Sequence, residues 1–236
     1  MEKISSEFNK ALACLNRAMK STREKYNAII KDYESAEKEW IACPKNPLPG
    51  DPLASRAATA RARWEEARGG LQGKVTDIFD VYDRNVRQIR AELARALAEA
   101  DTLTAAEVDP AAIALLNSGA MTSRDYAKMA EQYQENTTIL KLLRESANKY
   151  ADSLPFEPTE DPAGFQERMA MREIIERAKT GSEQALEGFD GWVSAANSLT
   201  GRDSYGNFRT VDEMRDCQLD AWEQLCGEMG VSFGEE

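Results

Sequence analysis

Residues 8–40 read FNKALACLNRAMKSTREKYNAIIKDYESAEKEW. Phe8, Leu12, Leu15, Met19, Thr22, Tyr26, Ile29, Tyr33, Ala36 and Trp40 recur there, after one step of four, at alternating intervals of three and four, flanked by Lys, Arg and Glu. A repeat averaging about 3.5 residues winds into a single apolar stripe on a helix and is the period of a coiled-coil seam. The stretch therefore predicts a long amphipathic helix whose stripe must be covered by another element. The pattern ends at CPKNPLPGDP, where Pro44, Pro47, Pro49 and Pro52 remove amide donors and force an extended turn.

A second long pattern runs from about Ala54 to Ala100 through Trp64, Leu71, Val75, Ile78, Tyr82, Val86, Ile89, Leu93 and Ala96. The steps Ile78–Tyr82–Val86 are four plus four, which reads as a stutter that locally unwinds a supercoil. Two such helices joined by a turn make an antiparallel hairpin. With the turn near residue 48, facing residue numbers sum to about 96–97, which sets Tyr26 opposite Gly70 and Tyr33 opposite Trp64. Gly69, Gly70 and Gly73 would each cost a continuous helix roughly 1 kcal/mol relative to Ala. A hinge or short loop at these glycines is the alternative.

Composition narrows the chemistry. The chain has 236 residues, 42% hydrophobic and 30% charged, which bounds it to one or two folded domains, and its abundance of Ala, Glu, Arg, Leu and Lys favours helix. It contains no histidine, which removes Ser-His-Asp and Cys-His nucleophilic sites, His-ligated zinc and imidazole acid–base chemistry. Residues 1–100 carry 18 Lys and Arg against 15 Asp and Glu, net +3, whereas residues 101–236 carry 12 against 26, net −14. The two parts are expected to meet different partners or each other. The acidic part would repel a phosphate backbone and an anionic membrane alike, so no direct nucleic-acid binding is expected, and the plain reading of its charge is solubility.

The N-terminal MEKISSEFNKALACL has no apolar run long enough for a signal-peptide core, and no stretch approaches the ~20 residues that span a bilayer, so the expectation is a cytoplasmic protein. Cys14, Cys43, Cys217 and Cys226 contain no C-x-x-C pair. On one helix Cys14 and Cys43 would stand roughly 43 Å apart at ~1.5 Å per residue. Cys217 and Cys226, nine residues apart, would take opposite helix faces. That geometry excludes a zinc site built from all four and leaves free thiols as the expectation.

Beyond residue 100 the helices shorten and caps become frequent. Thr104 with Glu107 fits a capping box, Asp109–Pro110 an N-cap with proline at the first helical position, and Gly119 a C-cap. Thr122 and Asp125 open a helix carrying Tyr126, Met129 and Tyr133; Asn136 or Thr137 opens the next, with Ile139, Leu140, Leu142, Leu143, Ala147 and Tyr150. ADSLPFEPTEDP is a linker with three prolines, followed by helices over about 162–179, 183–199 and 211–229, the last opened by Thr210 and Glu213. The VSFGEE tail is expected to fray. The expected organisation is a hairpin over 1–100, a short-helix region over 101–152 and an acidic helical region over 153–236.

The stretch DPAAIALLNSGAMTSRDYAKMAEQYQENTTILKLL, residues 109–143, resembles a segment of uncharacterised helical proteins encoded in phages and prophages of Gram-positive bacteria. The resemblance is carried by Ala114–Gly119, Met121, Thr122, Tyr126, Tyr133, Asn136, Thr137 and Leu140–Leu143. These are capping and core positions, so the resemblance implies phage origin and a place among head-assembly genes without transferring any functional residue.

Without histidine, the enzyme left open is one built from carboxylates and Mg²⁺. Asp77, Asp80 and Asp83 repeat every three residues in DIFDVYDR, but Arg84 and Arg87 sit beside them as charge-paired surface residues would. Glu173 and Glu176 with Glu213 and Asp216 resemble the two acidic half-motifs of all-α nucleotide pyrophosphohydrolases, at a longer separation than that family shows and without a well-placed Lys or Asn; solvated helix faces explain both pairs. Asp212, Asp216, Asp220 and Glu223 form an acidic stripe at i, i+4, i+8 and i+11, either a solvated face or a docking surface for a basic partner. TGRDSYGNF lacks the Gly-Lys-Ser/Thr ending of a phosphate-binding loop and reads as a turn between helices. Trp192, Tyr205, Phe208 and Trp222 read as core of the C-terminal helices.

The expectation is an all-α protein, a long antiparallel coiled-coil-like hairpin followed by a compact acidic bundle, with no catalytic residue, metal, cofactor or small-molecule substrate. Its leading function is that of a non-enzymatic, phage-encoded assembly protein, scaffold or capsid-associated. It would contact a second copy or another protein through Leu12, Leu15, Met19, Tyr26, Ile29, Tyr33 and Trp40. The alternative is a phage-encoded acidic inhibitor in which Asp212, Asp216, Asp220 and Glu223 help to occupy a basic, nucleic-acid-binding surface.

Overall fold

The computed structural model describes residues 2–45, 50–100, 108–159, 161–203, 206–208 and 210–230, the side chains of residues 52 and 211 excepted. Pro47, Pro49, the Thr104–Glu107 box, Tyr205 and the VSFGEE tail lie outside the described residues. Among the described residues the regular elements are helices and no strand occurs. They are α1 (Glu2–Ile41), α2 (Pro52–Ala100), α3 (Pro110–Asn117), α4 (Ser123–Gln132), α5 (Thr137–Ser153), α6 (Pro162–Arg177), α7 (Gly181–Ser198), α8 (Val211–Arg215) and, after a 3₁₀ turn at Leu219–Ala221, α9 (Trp222–Glu228). The protein is all-α and opens with two long helices of 40 and 49 residues, as the stripes require. Among the described residues no helix is long and apolar enough to cross a membrane.

The chain forms two compact units, each discontinuous in sequence: Met1–Lys10 with Ala91–Phe189, and Ala11–Arg90 with Asp190–Glu236. In the first, the caps fall where the sequence marks them. The Asp109 carboxylate accepts the Ala111 N–H at 2.8 Å, the Asp125 carboxylate accepts the Thr122 N–H at 3.0 Å, and Asn136 Oδ1 accepts the Ile139 N–H at 3.0 Å. Gly119 leaves α3 at φ +65°, a conformation that costs glycine nothing. Met121, Tyr126, Met129, Ile139, Leu143 and Met171 help to fill the core these helices enclose. Arg168 is buried at its edge, where its guanidinium donates at the end of α5 to the carbonyl of Leu154 at 2.9 Å and to that of Ala151 at 2.8 Å, which also accepts the Leu154 N–H at 3.2 Å. The α7 start lies two residues before the one expected, because Thr180 and Glu183 close a reciprocal capping box: the Thr180 N–H donates to Glu183 at 2.8 Å and the Glu183 N–H to Thr180 Oγ1 at 3.3 Å.

In the second unit α1 and α2 run antiparallel. Of the expected α1 stripe, Leu12, Leu15, Met19, Thr22, Tyr26, Tyr33 and Ala36 are buried, and Ile29 and Trp40 half-buried. The pairing departs from the expected one in part: Trp64 lies within reach of the Tyr33 side chain, as expected, but Tyr26 does not face Gly70. Tyr26 packs on Phe79, with ring centroids 6.3 Å apart, and Trp40 stacks on Trp64 at 6.2 Å. Side chains lean toward the N-terminus of their own helix, so across an antiparallel pair each reaches back about a turn, and touching residues carry larger numbers than backbone levels suggest. Gly70 therefore does not receive Tyr26; the nearest atom to a Cβ built there is Lys74 Cε, at 3.7 Å. Nor do the three glycines form a hinge, since α2 is helical throughout. Its stripe runs Leu71, Val75, Phe79, Tyr82 and Val86, which puts the four-plus-four stutter at Leu71–Val75–Phe79 and leaves Ile78 only half-buried.

The C-terminal residues cover this hairpin. Trp222, 1% exposed, donates its indole N–H to Asn16 Oδ1 at 2.9 Å and meets Trp192 edge-on at 5.9 Å. The Tyr26 hydroxyl donates to the Met214 carbonyl, and Phe208 lies 5.5 Å from Phe79. Residues 211–229 are not one helix. Tertiary hydrogen bonds hold the break: the Gln218 N–H donates to the Leu199 carbonyl at 2.8 Å in place of a helical partner, and beside it the Cys217 thiol donates to the Thr200 carbonyl at 2.9 Å. Cys217 and Cys226 consequently share no helix.

Candidate functional site

The carboxylates singled out in the sequence are held apart. Asp77 and Asp80 are exposed, and Asp83 receives the Arg202 guanidinium through two bonds of 2.8 and 3.0 Å. Arg84 and Arg87 each donate Nε to the carbonyl four residues back, at 3.2 Å, and not to the neighbouring carboxylates. In the first unit Glu173 pairs with Arg177 and Glu176 with Lys179; in the second Glu213 closes the Thr210 capping box. Among the described residues no three Cys, Asp or Glu side chains converge as a metal site would require.

Between α2 and the end of α7 lies a groove of about 770 Å³ lined by Asp83, Val86, Arg87, Arg90, Asp190, Asn197, Arg202 and Asp203, among others. Two ion pairs cross it. Arg90 grips Asp190 through two bonds of 2.7 and 2.8 Å, and these hold the Asp190 carboxyl below the usual carboxylate range. Arg202, its side chain only 7% exposed, lies over the Phe79 ring at 4.7 Å while it binds Asp83. Arg202 thus ties the end of α7 to α2, and Asp203 Oδ1 accepts the Asn207 N–H at 3.0 Å. These contacts lock helices and loop together and leave the groove close to electroneutral.

The end of the hairpin is different. A second groove, about 880 Å³, is lined by Lys38, Glu39, Ala42, Cys43 and Pro44, among others, from the α1 side and by Leu53, Arg56, Ala60 and Arg63, among others, from the α2 side. Arg63 is engaged by Glu39 at 2.9 and 3.0 Å and by Asp32 at 3.3 Å. The side chains of Lys38 and Arg56 make no ion pair or hydrogen bond among the described residues. Ile41 and Leu53 stand 69% and 45% exposed, and Arg61 and Arg68 lie over the rings of the Trp40–Trp64 stack at 6.0 and 5.2 Å. Tryptophan and arginine are among the residue types that protein–protein contacts concentrate.

The expected contact residues Leu12, Leu15, Met19, Tyr26 and Tyr33 lie in the chain's own interior. Ile29 and Trp40 are half-buried, and of these seven Trp40 alone reaches the hairpin end. The acidic stripe is divided by the break after α8. Asp212 and Asp216 are exposed, whereas Asp220 accepts from Asn27 at 3.2 Å and lies 3.7 Å from Arg23, which also pairs with Glu223 at 3.1 Å. Ile41 and Leu53 fall outside the three-four repeat, which therefore does not mark them. The signal available was an aliphatic residue on each side of the proline turn that falls outside the period. Comparison of the chain with protein-family models, with curated proteins and with solved structures gave no match.

Proposed function

We propose that this chain is a non-enzymatic assembly protein that works through protein–protein contacts made at the end of its α1–α2 hairpin. The observation that carries the reading is a groove lined by exposed Leu53 and by Lys38 and Arg56, whose side-chain charges have no partner among the described residues, on the two helices that also carry exposed Ile41 and the stacked Trp40 and Trp64. The paired arginines and aspartates of the α2–α7 groove favour a structural role for that second concavity over a chemical one. The resemblance of residues 109–143 to phage-encoded helical proteins supports a phage origin and a scaffold or capsid-associated role in the host cytoplasm. An inhibitor working through the four-carboxylate stripe is less well supported, because Asp220 and Glu223 are held by Arg23 on α1.

Mass spectrometry of purified procapsids and mature virions tests the proposal. A scaffold is present in the first and lost from the second, and a capsid-associated protein is present in both. Absence from both refutes the assembly reading.

A further inference from the structure

This inference rests on the assembly reading and names the partner. The groove at the hairpin end is lined in part by buried Ala60 and half-buried Cys43; its Glu39 carboxylate is neutralised by Arg63, which leaves one side-chain cation from each helix without a partner among the described residues, Lys38 on α1 and Arg56 on α2. Its occupant must bring negative charge on a compact face. Two hairpin ends would repel one another, whereas residues 101–236 carry net −14. Within that region Asp212 and Asp216 are exposed, four residues apart at the α8 end, and neither takes part in an ion pair among the described residues. The other two acids of the expected stripe already neutralise Arg23.

We propose that the groove receives the Asp212–Asp216 face of a second copy, Lys38 and Arg56 meeting the two carboxylates. The contact joins different surfaces of identical chains. Each added copy therefore presents a fresh groove and a fresh acidic face, and assembly continues unless the rotation closes a ring.

Sedimentation velocity of the full chain over a concentration series tests this. At low ionic strength the average mass should rise with concentration; near 1 M salt, where the screening length falls to about 3 Å, it should return to that of the monomer. The double charge reversals Lys38→Glu/Arg56→Glu and Asp212→Lys/Asp216→Lys should each weaken association by about tenfold or more while leaving circular dichroism and melting unchanged. An equimolar mixture of the two reversed chains should associate again, because each then offers the other an opposite charge. A wild type that stays monomeric at low salt overturns the head-to-tail contact and leaves the assembly reading to the virion measurement. Self-association that survives both reversals also overturns it, while keeping self-assembly through another surface. A mixture that fails to recover, when both variants remain folded, overturns the pairing of these two faces.

Discussion

Trp222→Ala asks how firmly the C-terminal segment belongs to the hairpin core. The side chain is 1% exposed, lies edge-on to Trp192, and donates to Asn16 Oδ1, itself on a residue 6% exposed. Truncating a buried aromatic to alanine costs about 3–5 kcal/mol in lost transfer energy and residual cavity. Leaving the Asn16 oxygen buried without a donor adds about 1–3 kcal/mol. The sum, roughly 4–8 kcal/mol, is a large part of the whole stability of an ordinary domain. Trp222→Phe keeps most of the volume and isolates the hydrogen bond, so its loss should sit near the lower of the two contributions, about 1–3 kcal/mol. Guanidinium denaturation followed by far-ultraviolet circular dichroism reads both variants without depending on the tryptophan removed. Adding Asn16→Leu to Trp222→Phe should recover part of the loss, since the orphaned amide disappears with its partner. Losses under about 0.5 kcal/mol in both single variants, the range of inert surface substitutions, would refute the placement of Trp222.

Tyr26→Asp places a carboxylate where the ring is 3% exposed and should lower the melting temperature by many degrees, whereas Tyr26→Phe, which loses only the bond to the Met214 carbonyl, should cost about 1 kcal/mol. Tyr82→Phe should be neutral or stabilising by calorimetry, because the hydroxyl is buried with no hydrogen-bond partner among the described residues. Gly69→Ala and Gly73→Ala should each stabilise α2 by about 0.5–1 kcal/mol in denaturant titrations, since the added methyl meets nothing within 4 Å. Gly164→Ala should do the reverse, because its Cβ would stand 2.8 Å from Pro155 Cδ and 2.7 Å from the capping Asp161 carboxylate. Arg90 lowers the Asp190 pKa, so the stability this pair contributes is present above the ordinary carboxylate value near ~4 and is lost as pH falls through the lowered one. The melting temperature of Arg90→Met should therefore lie below wild type near neutrality and converge on it in acid; a constant gap across pH would exclude the pair as its cause.

The α1 stripe was legible because a three-four repeat from Leu12 to Ala36 is a property of one helix and needs no knowledge of its neighbour. Caps at Asp109, Thr122, Asn136 and Thr210 were legible for the same reason: each is satisfied within about one turn. What lay beyond reach were interactions between distant segments. That Tyr26 meets Phe79 follows from side-chain tilt on two helices at once, and the break after Arg215 follows from carbonyls at Leu199 and Thr200 that no local pattern announces. The apolar stripe shows that the hairpin needs a cover, but a stripe does not say whether the cover comes from another molecule or from further along the chain. Lys38 and Arg56 gave no signal because a cation is informative only once its lack of a partner is known.

Asn16 and Trp222 are separated by 206 positions. At synthesis rates of about 5–20 residues per second, the ribosome needs on the order of 10–40 s after releasing the first to add the second. Through that interval the aromatic stripe of α1 can engage α2 but not its final covering layer. The nascent chain therefore carries a sticky surface through most of its translation, and conditions that stall elongation before residue 190 should send it to chaperones or into aggregates, while the completed chain in the same cell stays clear of both.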